Sequence, residues 1–425
     1  MKVLIISSTT WNDSNSFGNT FSNLFSKMND VEIYNIACRH GEAHNSVVKQ
    51  SVQMTDRSVL KSIYNLKFDS CRIIENQTQN SDFSNEISER ARKNRRTSSL
   101  IIRDIIWKIG RWKNSKTLNA FLDAVNLDVI YLPIYASPYM CDVQRYIVDK
   151  LNVPVVAHIS DDIYSMNPGD SRLARLYRKY LRKKIRALLS RCSYIEVFAE
   201  TMKEEYEKIF GKPCYVIGKG INVSDLSPIR YEKKEDDVSF VYTGNIGDDR
   251  YRSLYYIGKA LDECRGDKSV SLNIYSATPL SDEMQRLFDS SPSIKFHGAV
   301  SRSEVEEIQR NADYLVHVEG FSEEAIFATK MSFSTKIIDY LVSGKPMLAV
   351  GPYEVNSIKV LKDEGVAVVA TTEEEIKSVV SGILNCTVDL DSLAQNVEKY
   401  LVEKRDIKKI QAGIKSRLDK LVEGK

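Results

Sequence analysis

The chain has 425 residues, of which 43% are hydrophobic and 28% are charged, and its formal net charge is +3. This length allows two domains of roughly 200 residues, each with a sizeable core. The composition is typical of a soluble globular protein. Because the charge is nearly balanced, the chain as a whole is not basic enough to indicate a polyanion partner.

The cysteines and the apolar runs predict the compartment. Seven cysteines are scattered along the chain without a CxxC pair, which argues against a disulfide framework or a zinc site and suits a reducing cytoplasm. The apolar run at the start is shorter than that of a signal peptide, and no uninterrupted apolar stretch approaches the ~20 residues that span a bilayer. We therefore expect a cytoplasmic protein. This expectation allows a peripheral location on the inner face of the plasma membrane.

The first half of the chain has the pattern of a doubly wound α/β domain. Continuous apolar runs predict strands that are buried on both faces of a parallel sheet, at residues 3–7, 129–133 and 153–159. A loop containing Gly18 and Asn19 follows the first strand, a helix is predicted from Thr20, and residues at such a loop end face ligands in doubly wound folds. A plain tight turn is the alternative interpretation of this loop.

A second group of polar residues stands at the carboxyl end of the strand over residues 153–159, where α/β proteins place their chemistry. It consists of His158, Asp161 and Asp162. The alternative is a loop aspartate that caps the next helix.

Two basic helices are predicted in the same half. Residues 100–112 have apolar positions at helical spacing, with Trp107 and Trp112, and follow a polar stretch that ends in a basic run at residues 90–96. Residues 172–186 combine a leucine and tyrosine stripe with arginines and lysines and contain no acidic residue. This pattern predicts contact with anionic lipid headgroups or a phosphate-rich ligand, and the absence of a recognised motif argues against nucleic acid. A basic edge on a packed helix is the alternative for residues 100–112.

The second half repeats the α/β pattern after a polar stretch, residues 223–236, that is predicted as a linker. A turn with Gly244, Asn245 and Gly247 follows its first strand, and glycines there let the backbone approach a ligand closely. Arg250 and Arg252 come next and offer forked donors suited to a diphosphate. The turn is neither a P-loop nor the GxGxxG dinucleotide fingerprint.

Residues 332–346 predict a short helix that begins at an anion site. Ser334 and Thr335 suit an N-cap, Lys336 stands in the first turn, and Asp339 lies one turn further on, where its carboxylate can accept hydrogen bonds from a ribose. Gly344 and the proline that follows end the helix. An ordinary capped helix with a solvated lysine and aspartate is the alternative.

Taken together, GNIGDDRYRSL, FHGAVSRSEVEEIQRNADYLVH and SFSTKIIDYLVSGKP resemble the carboxyl-terminal domain of GT-B glycosyltransferases, in particular the bacterial group 1-type enzymes of surface polysaccharide synthesis. GNTFSNLF and VPVVAHISDDIY are similar to their amino-terminal domain. The resemblance implies an α/β protein with two Rossmann-like domains that face each other across a cleft. The implied parts are residues 1–222 with 400–425 packed back on them, the linker 223–236, and a donor domain over 237–399.

The resemblance also implies roles for single residues. Gly244, Asn245 and Gly247 would lie against the donor diphosphate, which Arg250 and Lys336 would pair with. The further implied donor contacts are Arg252, His317, Glu319, Ser334, Thr335, Asp339, Gly18 and Asn19, with Thr20 beside them. His158, Asp161 and Asp162 match the region that contributes acceptor or catalytic groups. Many relatives carry a glutamate eight residues before the position of Asp339, where this chain has Met331, and Glu319, Glu323 and Glu324 are candidates to replace it.

The predicted function is transfer of a sugar from a nucleotide-sugar donor to a lipid-linked or oligosaccharide acceptor in the synthesis of a cell-surface polysaccharide such as capsule or lipopolysaccharide. Retention of configuration follows from the resemblance alone. No cofactor and no metal are expected, because fixed cations would hold the diphosphate and the adjacent Asp248 and Asp249 are poorly arranged to chelate a metal. A sugar-nucleotide 2-epimerase and a non-catalytic nucleotide- or phosphoglycan-binding protein are the alternatives.

Overall fold

The computed structural model describes residues 1–75 and 97–424, so the basic run at residues 90–96 lies outside the described residues. The chain divides into two compact units. Unit 1 comprises Met1–Lys219 with Ile407–Lys425, and unit 2 comprises Gly220–Asp406. Each unit has a mainly parallel sheet covered by helices, which confirms the predicted α/β class.

Unit 1 is built on a sheet that has eight strands among the described residues, in the order β4-β3-β2-β1-β5-β6-β7-β8. The neighbouring strands run parallel except for β3 and β4. The strands are β1 (Lys2–Ser7), β2 (Glu32–Ala37), β3 (Val48–Met54), β4 (Cys71–Ile74), β5 (Val129–Pro133), β6 (Val155–Ile159), β7 (Tyr194–Val197) and β8 (Cys214–Val216). The helices are α1 (Ser16–Phe25), α2 (Asp56–Tyr64), α3 (Thr97–Ile109), α4 (Lys116–Ala124), α5 (Pro138–Leu151), α6 (Arg172–Leu189) and α7 (Glu200–Phe210).

The last helix of the chain, labelled α16 (Ile407–Glu423), belongs to unit 1. Its Ile414 and Leu418 are buried in the same core cluster as β1 and α1. Arg417 from this helix donates from Nε at 3.1 Å to Glu196, a fully buried residue of β7 whose carboxylate also accepts from the Tyr131 hydroxyl. The return of the last helix to the first unit, which the resemblance implied, is therefore confirmed.

Unit 2 contains a fully parallel sheet of six strands within its described residues, in the order β11-β10-β9-β12-β13-β14. The strands are β9 (Val238–Thr243), β10 (Val270–Tyr275), β11 (Ile294–Gly298), β12 (Tyr314–Val318), β13 (Met347–Val350) and β14 (Val368–Ala370). The helices are α8 (Arg250–Cys264), α9 (Asp282–Asp289), α10 (Arg302–Asn311), α11 (Glu323–Thr329), α12 (Lys336–Val342), α13 (Asn356–Asp363), α14 (Glu373–Leu384) and α15 (Leu390–Lys404).

The segment predicted as a linker, residues 223–236, is part of unit 2. Ile229 is buried in the unit 2 core, and Tyr231 packs against the same cluster. Tyr400 and Leu401 near the end of α15 are buried there too, so the second crossing between the units follows residue 406 instead of residue 400. The polarity and charge of residues 223–236 predicted an exposed linker. The segment is instead attached to unit 2, because its few apolar side chains, such as Ile229 and Tyr231, pack on the core of that unit.

Both tryptophans of the predicted basic helix 100–112 are buried, Trp107 in α3 and Trp112 in the turn after it. Neither is an interfacial aromatic residue. None of the helices in the described part of the chain is both long and apolar enough to cross a membrane.

Candidate functional site

The strand order of unit 2 determines where its loops can form a site. β9 lies between β10 and β12, so the direction in which the sheet is wound reverses between β9 and β12. Loops that follow the carboxyl ends of two such strands diverge, and doubly wound folds bind ligands in the crevice between them. Here the two loops are the glycine turn over residues 244–249 and the segment that begins at Glu319.

A buried ion pair joins these two loops. Arg250, the first residue of α8, donates to Glu319 Oε2 from Nη2 at 2.7 Å and from Nε at 3.1 Å. The two side chains are 17% and 6% exposed. Burial raises the pKa of Glu319, although the Arg250 guanidinium opposes this shift. Because the Glu319 carboxylate is largely removed from water, loss of Arg250 would leave it buried and uncompensated, whereas Arg250 would keep a second carboxylate, that of Asp248, 3.4 Å from its Nη1.

His317 lies behind this pair. Its Nε2 is 3.4 Å from the Ser357 hydroxyl and 3.5 Å from Glu319 Oε1. Burial, assisted by the positive charges of Arg250 and Lys336, lowers the pKa of His317 to about 3. The imidazole is therefore neutral near pH 7, so it is hydrogen-bonded to Ser357 and lies beside the carboxylate without pairing with it as a cation.

Lys336 reaches the glycine turn from α12. Its Nζ donates to the backbone oxygen of Thr243 at 3.3 Å. A Cβ on Gly244 would stand 3.3 Å from this Nζ and 3.0 Å from the Tyr242 hydroxyl. Glycine at residue 244 thus gives the ammonium group room beside the turn. The crevice contains two cations, Arg250 and Lys336, that come from different helices.

The side chain of Asn245 holds the shape of the turn. Its Oδ1 accepts hydrogen bonds from the backbone N of Gly247 and from the Thr278 hydroxyl, both at 2.8 Å. The Tyr242 hydroxyl donates to the Asn245 carbonyl at 2.6 Å. Asn245 is therefore placed to fix the conformation of the turn.

The conformation at the end of the turn explains why residue 320, to which the sequence patterns assigned no role, is glycine. Asp248 and Asp249 adopt left-handed conformations, with φ of 51° and 62°. A Cβ on Gly320 would stand 2.4 Å from the Asp248 carbonyl oxygen. The turn and the segment after β12 can approach this closely only because residue 320 is glycine.

The helix over residues 336–342 begins differently from the prediction. Thr335 is its N-cap residue, but its φ of −63° is helical and no side chain caps the helix. The backbone N of Ile337 and that of Ile338 donate to the carbonyls of Ser334 and Thr335, at 3.1 and 3.2 Å. The predicted hydroxyl caps are therefore wrong, because a tight turn of backbone hydrogen bonds occupies this end of the helix. Gly344 has φ of 72° after the last turn, as predicted.

The other predicted residues of unit 2 are not part of the group formed by Arg250, Glu319 and His317. Arg252 donates from Nη2 to Glu283 at 3.0 Å, and its Nε is 3.3 Å from Asp249. Glu323 and Glu324 are exposed in the first turn of α11. Of the three glutamates considered as replacements at Met331, the structure brings Glu319 into the crevice. Asp339 is exposed on α12, one turn after Lys336.

Gly18 and Asn19, which were predicted in a loop before a helix from Thr20, are already helical. α1 begins at Ser16, and the Asn15 side chain accepts a hydrogen bond from the backbone N of Gly18 at 2.8 Å. A Cβ on Gly18 would stand 2.0 Å from the Asn12 carbonyl oxygen, so the glycine is required by packing inside unit 1. The loop placement was wrong because an asparagine cap starts the helix four residues early.

His158 lies inside the core of unit 1. The rings of Phe21 and Phe198 pack on it with centroid distances of 5.1 and 5.0 Å, and burial lowers the pKa of its imidazole to about 3. Its Nδ1 is 3.3 Å from the Tyr131 hydroxyl, and its Nε2 is 3.0 Å from that of Ser160. A buried, neutral ring with both nitrogens engaged corrects the prediction that it stands among accessible groups at the strand end.

The two aspartates after β6 differ in their surroundings. Asp162 accepts from the backbone N of Tyr164 at 3.0 Å and of Ser165 at 3.1 Å, and from the Tyr206 hydroxyl at 2.8 Å. These contacts hold the loop, which is the structural alternative that the sequence left open. Asp161 is exposed. In the described part of the chain, no group of three or more His, Cys, Asp or Glu side chains is arranged to hold a metal ion.

Solved structures show which fold this arrangement belongs to. The structure of Anabaena HepE in complex with UDP superposes with a TM-score of 0.63 at 11% identity, covering 99% of this chain and 100% of that one. Sucrose-phosphate synthase from Thermosynechococcus elongatus gives 0.61 at 11% identity, with 100% of both chains covered. The lipopolysaccharide outer core galactosyltransferase WaaB gives 0.57 at 11% identity, with 98% and 100% covered.

These neighbours are GT-B glycosyltransferases, and this chain has the GT-B fold. The family models searched give no match to the sequence, and neither do the curated proteins. Identities near one residue in ten establish the fold and leave the activity to be argued from the site.

Proposed function

We propose that the protein is a glycosyltransferase that moves a sugar from a nucleotide-sugar donor to a lipid-linked or glycan acceptor in cell-surface polysaccharide synthesis. The proposal depends on one observation, which is the pair of cations Arg250 and Lys336 beside the glycine turn. This turn lies where the winding direction of the unit 2 sheet reverses, between β9 and β12. The comparison adds support, because HepE has the same fold and its structure was solved in complex with UDP.

The chemistry of glycosyl transfer needs this kind of site. Cleavage of the donor's glycosidic bond leaves new negative charge on a nucleoside diphosphate. A guanidinium and an ammonium that are already held in place stabilise that charge without reorganisation, which is commonly the largest catalytic effect. Loss of one such contact costs about 3 kcal/mol, or roughly a hundredfold in rate. In this proposal Asp339 accepts hydrogen bonds from the ribose.

The site also contains a carboxylate that can act on the sugar. Glu319 is held by Arg250 at the end of β12, where the crevice loops meet. We assign it the role that the sequence left open between Glu319, Glu323 and Glu324. Retention of configuration, action in the cytoplasm and activity without added metal are further parts of the proposal, and turnover in the presence of EDTA tests the last of them.

The primary test is nucleotide binding. A thermal-shift screen should show stabilisation by UDP or GDP, since a ligand at 100 times its Kd adds about 2.7 kcal/mol. Affinity should fall in Lys336→Ala and persist in Arg252→Ala, a matched control whose guanidinium is paired with Glu283. Equal affinity in wild type and Lys336→Ala would refute the assignment. Product analysis with donor alone separates transfer from epimerisation, which needs no acceptor.

A further inference from the structure

Two neighbouring helices of unit 1 expose an unusual number of large apolar side chains. On α3 they are Ile102, Ile105 and Ile109, and on α6 they are Leu173, Leu176 and Tyr180. Their exposed fractions range from 43% to 64%. We call these six residues the α3–α6 surface. Contiguous exposed apolar surface on a globular protein marks an interaction site more often than chance exposure does.

The orientation of α3 is fixed by its opposite face. The Trp107 indole is buried, donates from Nε1 to Asp56 at 2.6 Å, and packs on Tyr139 with ring centroids 4.6 Å apart. Asp104 accepts from the backbone N of Tyr139 at 3.2 Å. With this face anchored, the three isoleucines at helical spacing point outward, which is the reverse of an ordinary amphipathic helix.

The two helices are directly connected. The Tyr177 hydroxyl of α6 donates to Asp104 Oδ2 of α3 at 2.7 Å. α6 buries Leu181, Ile185 and Leu188 on its inner face, and its exposed leucines and tyrosine lie on a different stripe of the helix. The exposed residues of α3 and α6 therefore belong to two helices that are in direct contact.

The exposed charged side chains of the two helices are all basic. Arg172, Arg175, Lys179 and Lys183 are exposed on α6, and Lys108 is exposed on α3. α6 contains no acidic residue, and the single acidic residue of α3 is Asp104, which is engaged by Tyr139 and Tyr177. The surface thus combines apolar side chains with a cationic border.

We propose that the α3–α6 surface docks on an anionic lipid bilayer. The isoleucines and leucines would enter the boundary between headgroups and acyl chains, and the arginines and lysines would contact the phosphates. A second copy of the chain is a poorer occupant, because a symmetric interface would place the cationic border of one copy against that of the other. This inference stands independently of the glycosyltransferase proposal, since its residues all belong to unit 1.

The test is co-sedimentation of the full chain with phosphatidylglycerol vesicles, with phosphatidylcholine vesicles as the neutral comparison. Wild type should bind the anionic vesicles, and less so at high salt. The triple variant I102S/I105S/I109S should bind at least tenfold more weakly. The matched control for removal of exposed apolar groups is V342S/V402S in unit 2, which should bind like wild type.

A second pair of variants tests the charges. R175Q/K179Q should weaken binding roughly twenty-five-fold, at about fivefold per basic residue near an anionic surface. K399Q/K404Q, which removes two exposed lysines of α15, should have no such effect. All of these substitutions are at exposed positions, so folding should be retained, and circular dichroism checks it.

Three results would overturn the inference: wild type that stays in solution with phosphatidylglycerol vesicles, an isoleucine variant that binds as well as wild type, or a dimer that dissociates in the isoleucine variant and assigns the surface to self-association. UDP binding measured on the same samples separates the two proposals. Vesicle binding without UDP binding would refute the donor site alone, and the converse would refute the lipid surface alone.

Discussion

The Arg250–Glu319 ion pair allows the structural and the functional roles of one residue to be separated. In Arg250→Ala the Glu319 carboxylate, 6% exposed, would lose its cation while remaining buried. Removing one partner of a buried ion pair costs about 3–5 kcal/mol of stability. The same substitution removes the proposed diphosphate contact, so nucleotide binding should fall as well. The single variant therefore cannot distinguish an unfolded crevice from a lost ligand contact.

The double variant R250M/E319Q makes that distinction. It removes both charges and keeps similar side-chain volumes, and replacing a buried pair in this way is often close to neutral for stability. We expect the free energy of unfolding to return to within about 1–2 kcal/mol of wild type, while UDP affinity stays at least tenfold lower.

The assay must report on unit 2. The three tryptophans, Trp11, Trp107 and Trp112, all lie in unit 1, so urea unfolding should be followed by far-ultraviolet circular dichroism and hydrogen exchange instead of tryptophan fluorescence. UDP affinity is measured by isothermal titration calorimetry. Two results would refute the reasoning: a double variant that binds UDP like wild type, or an Arg250→Ala protein as stable as wild type.

Four further predictions follow from single residues. Lys336→Met should lower UDP affinity by at least about tenfold without changing the unfolding temperature, because a charged hydrogen bond contributes about 1.5–3 kcal/mol and the side chain is exposed. Burial lowers the pKa of His158 to about 3 against 6.5 unfolded, so the fold favours its neutral form and stability is lost as the pH falls below 6.5; His158 alone should account for about 2 kcal/mol lost by pH 5 in urea unfolding, beside a similar contribution from His317, and a His158→Gln variant should lack the His158 part. Gly18→Ala should destabilise unit 1 by about 1–3 kcal/mol, whereas Gly413→Ala inside α16 should leave the unfolding temperature unchanged or raise it. Arg405→Lys should weaken UDP binding about threefold to tenfold in calorimetry with little change in circular dichroism, because the guanidinium lies 4.8 Å over the ring of Phe333, next to the loop that leads to Lys336.

The parts of the site that the sequence predicted are those encoded by neighbouring residues. The glycine turn, Arg250 and Lys336 each carry a local signal, and strands with continuous apolar runs indicated a parallel sheet. The pairing of Arg250 with Glu319 carries no such signal, because 69 residues separate them along the chain and only the adjacency of β9 and β12 brings them together. The role of Gly320 depends on the same adjacency.

The errors have physical causes of the same kind. Thr335 was predicted to cap its helix because its hydroxyl is suitable, but its helical φ favours a backbone turn. Apolar spacing predicted that α3 is amphipathic, yet spacing does not decide which face is buried. That choice was made by Trp107, whose indole has a hydrogen-bond partner in Asp56 and a large ring surface to remove from water. Ile102, Ile105 and Ile109 consequently remain exposed.

The two units place their cations in different surroundings, and each arrangement suits one of the two proposed ligands, the nucleotide-sugar or the lipid surface. A soluble nucleotide-sugar needs cations that are held in place, and unit 2 supplies Arg250, which is largely buried and held by Glu319, and the more exposed Lys336 at the glycine turn. A lipid surface needs cations that remain exposed beside apolar groups, and unit 1 supplies them on α6. High salt should therefore weaken vesicle binding much more than UDP binding, because exposed charges are screened within about 10 Å at 0.1 M salt and largely buried ones are screened much less. Equal salt sensitivity of the two equilibria would contradict this assignment of roles, since it would mean that Arg250 is as solvated as the cations of α6.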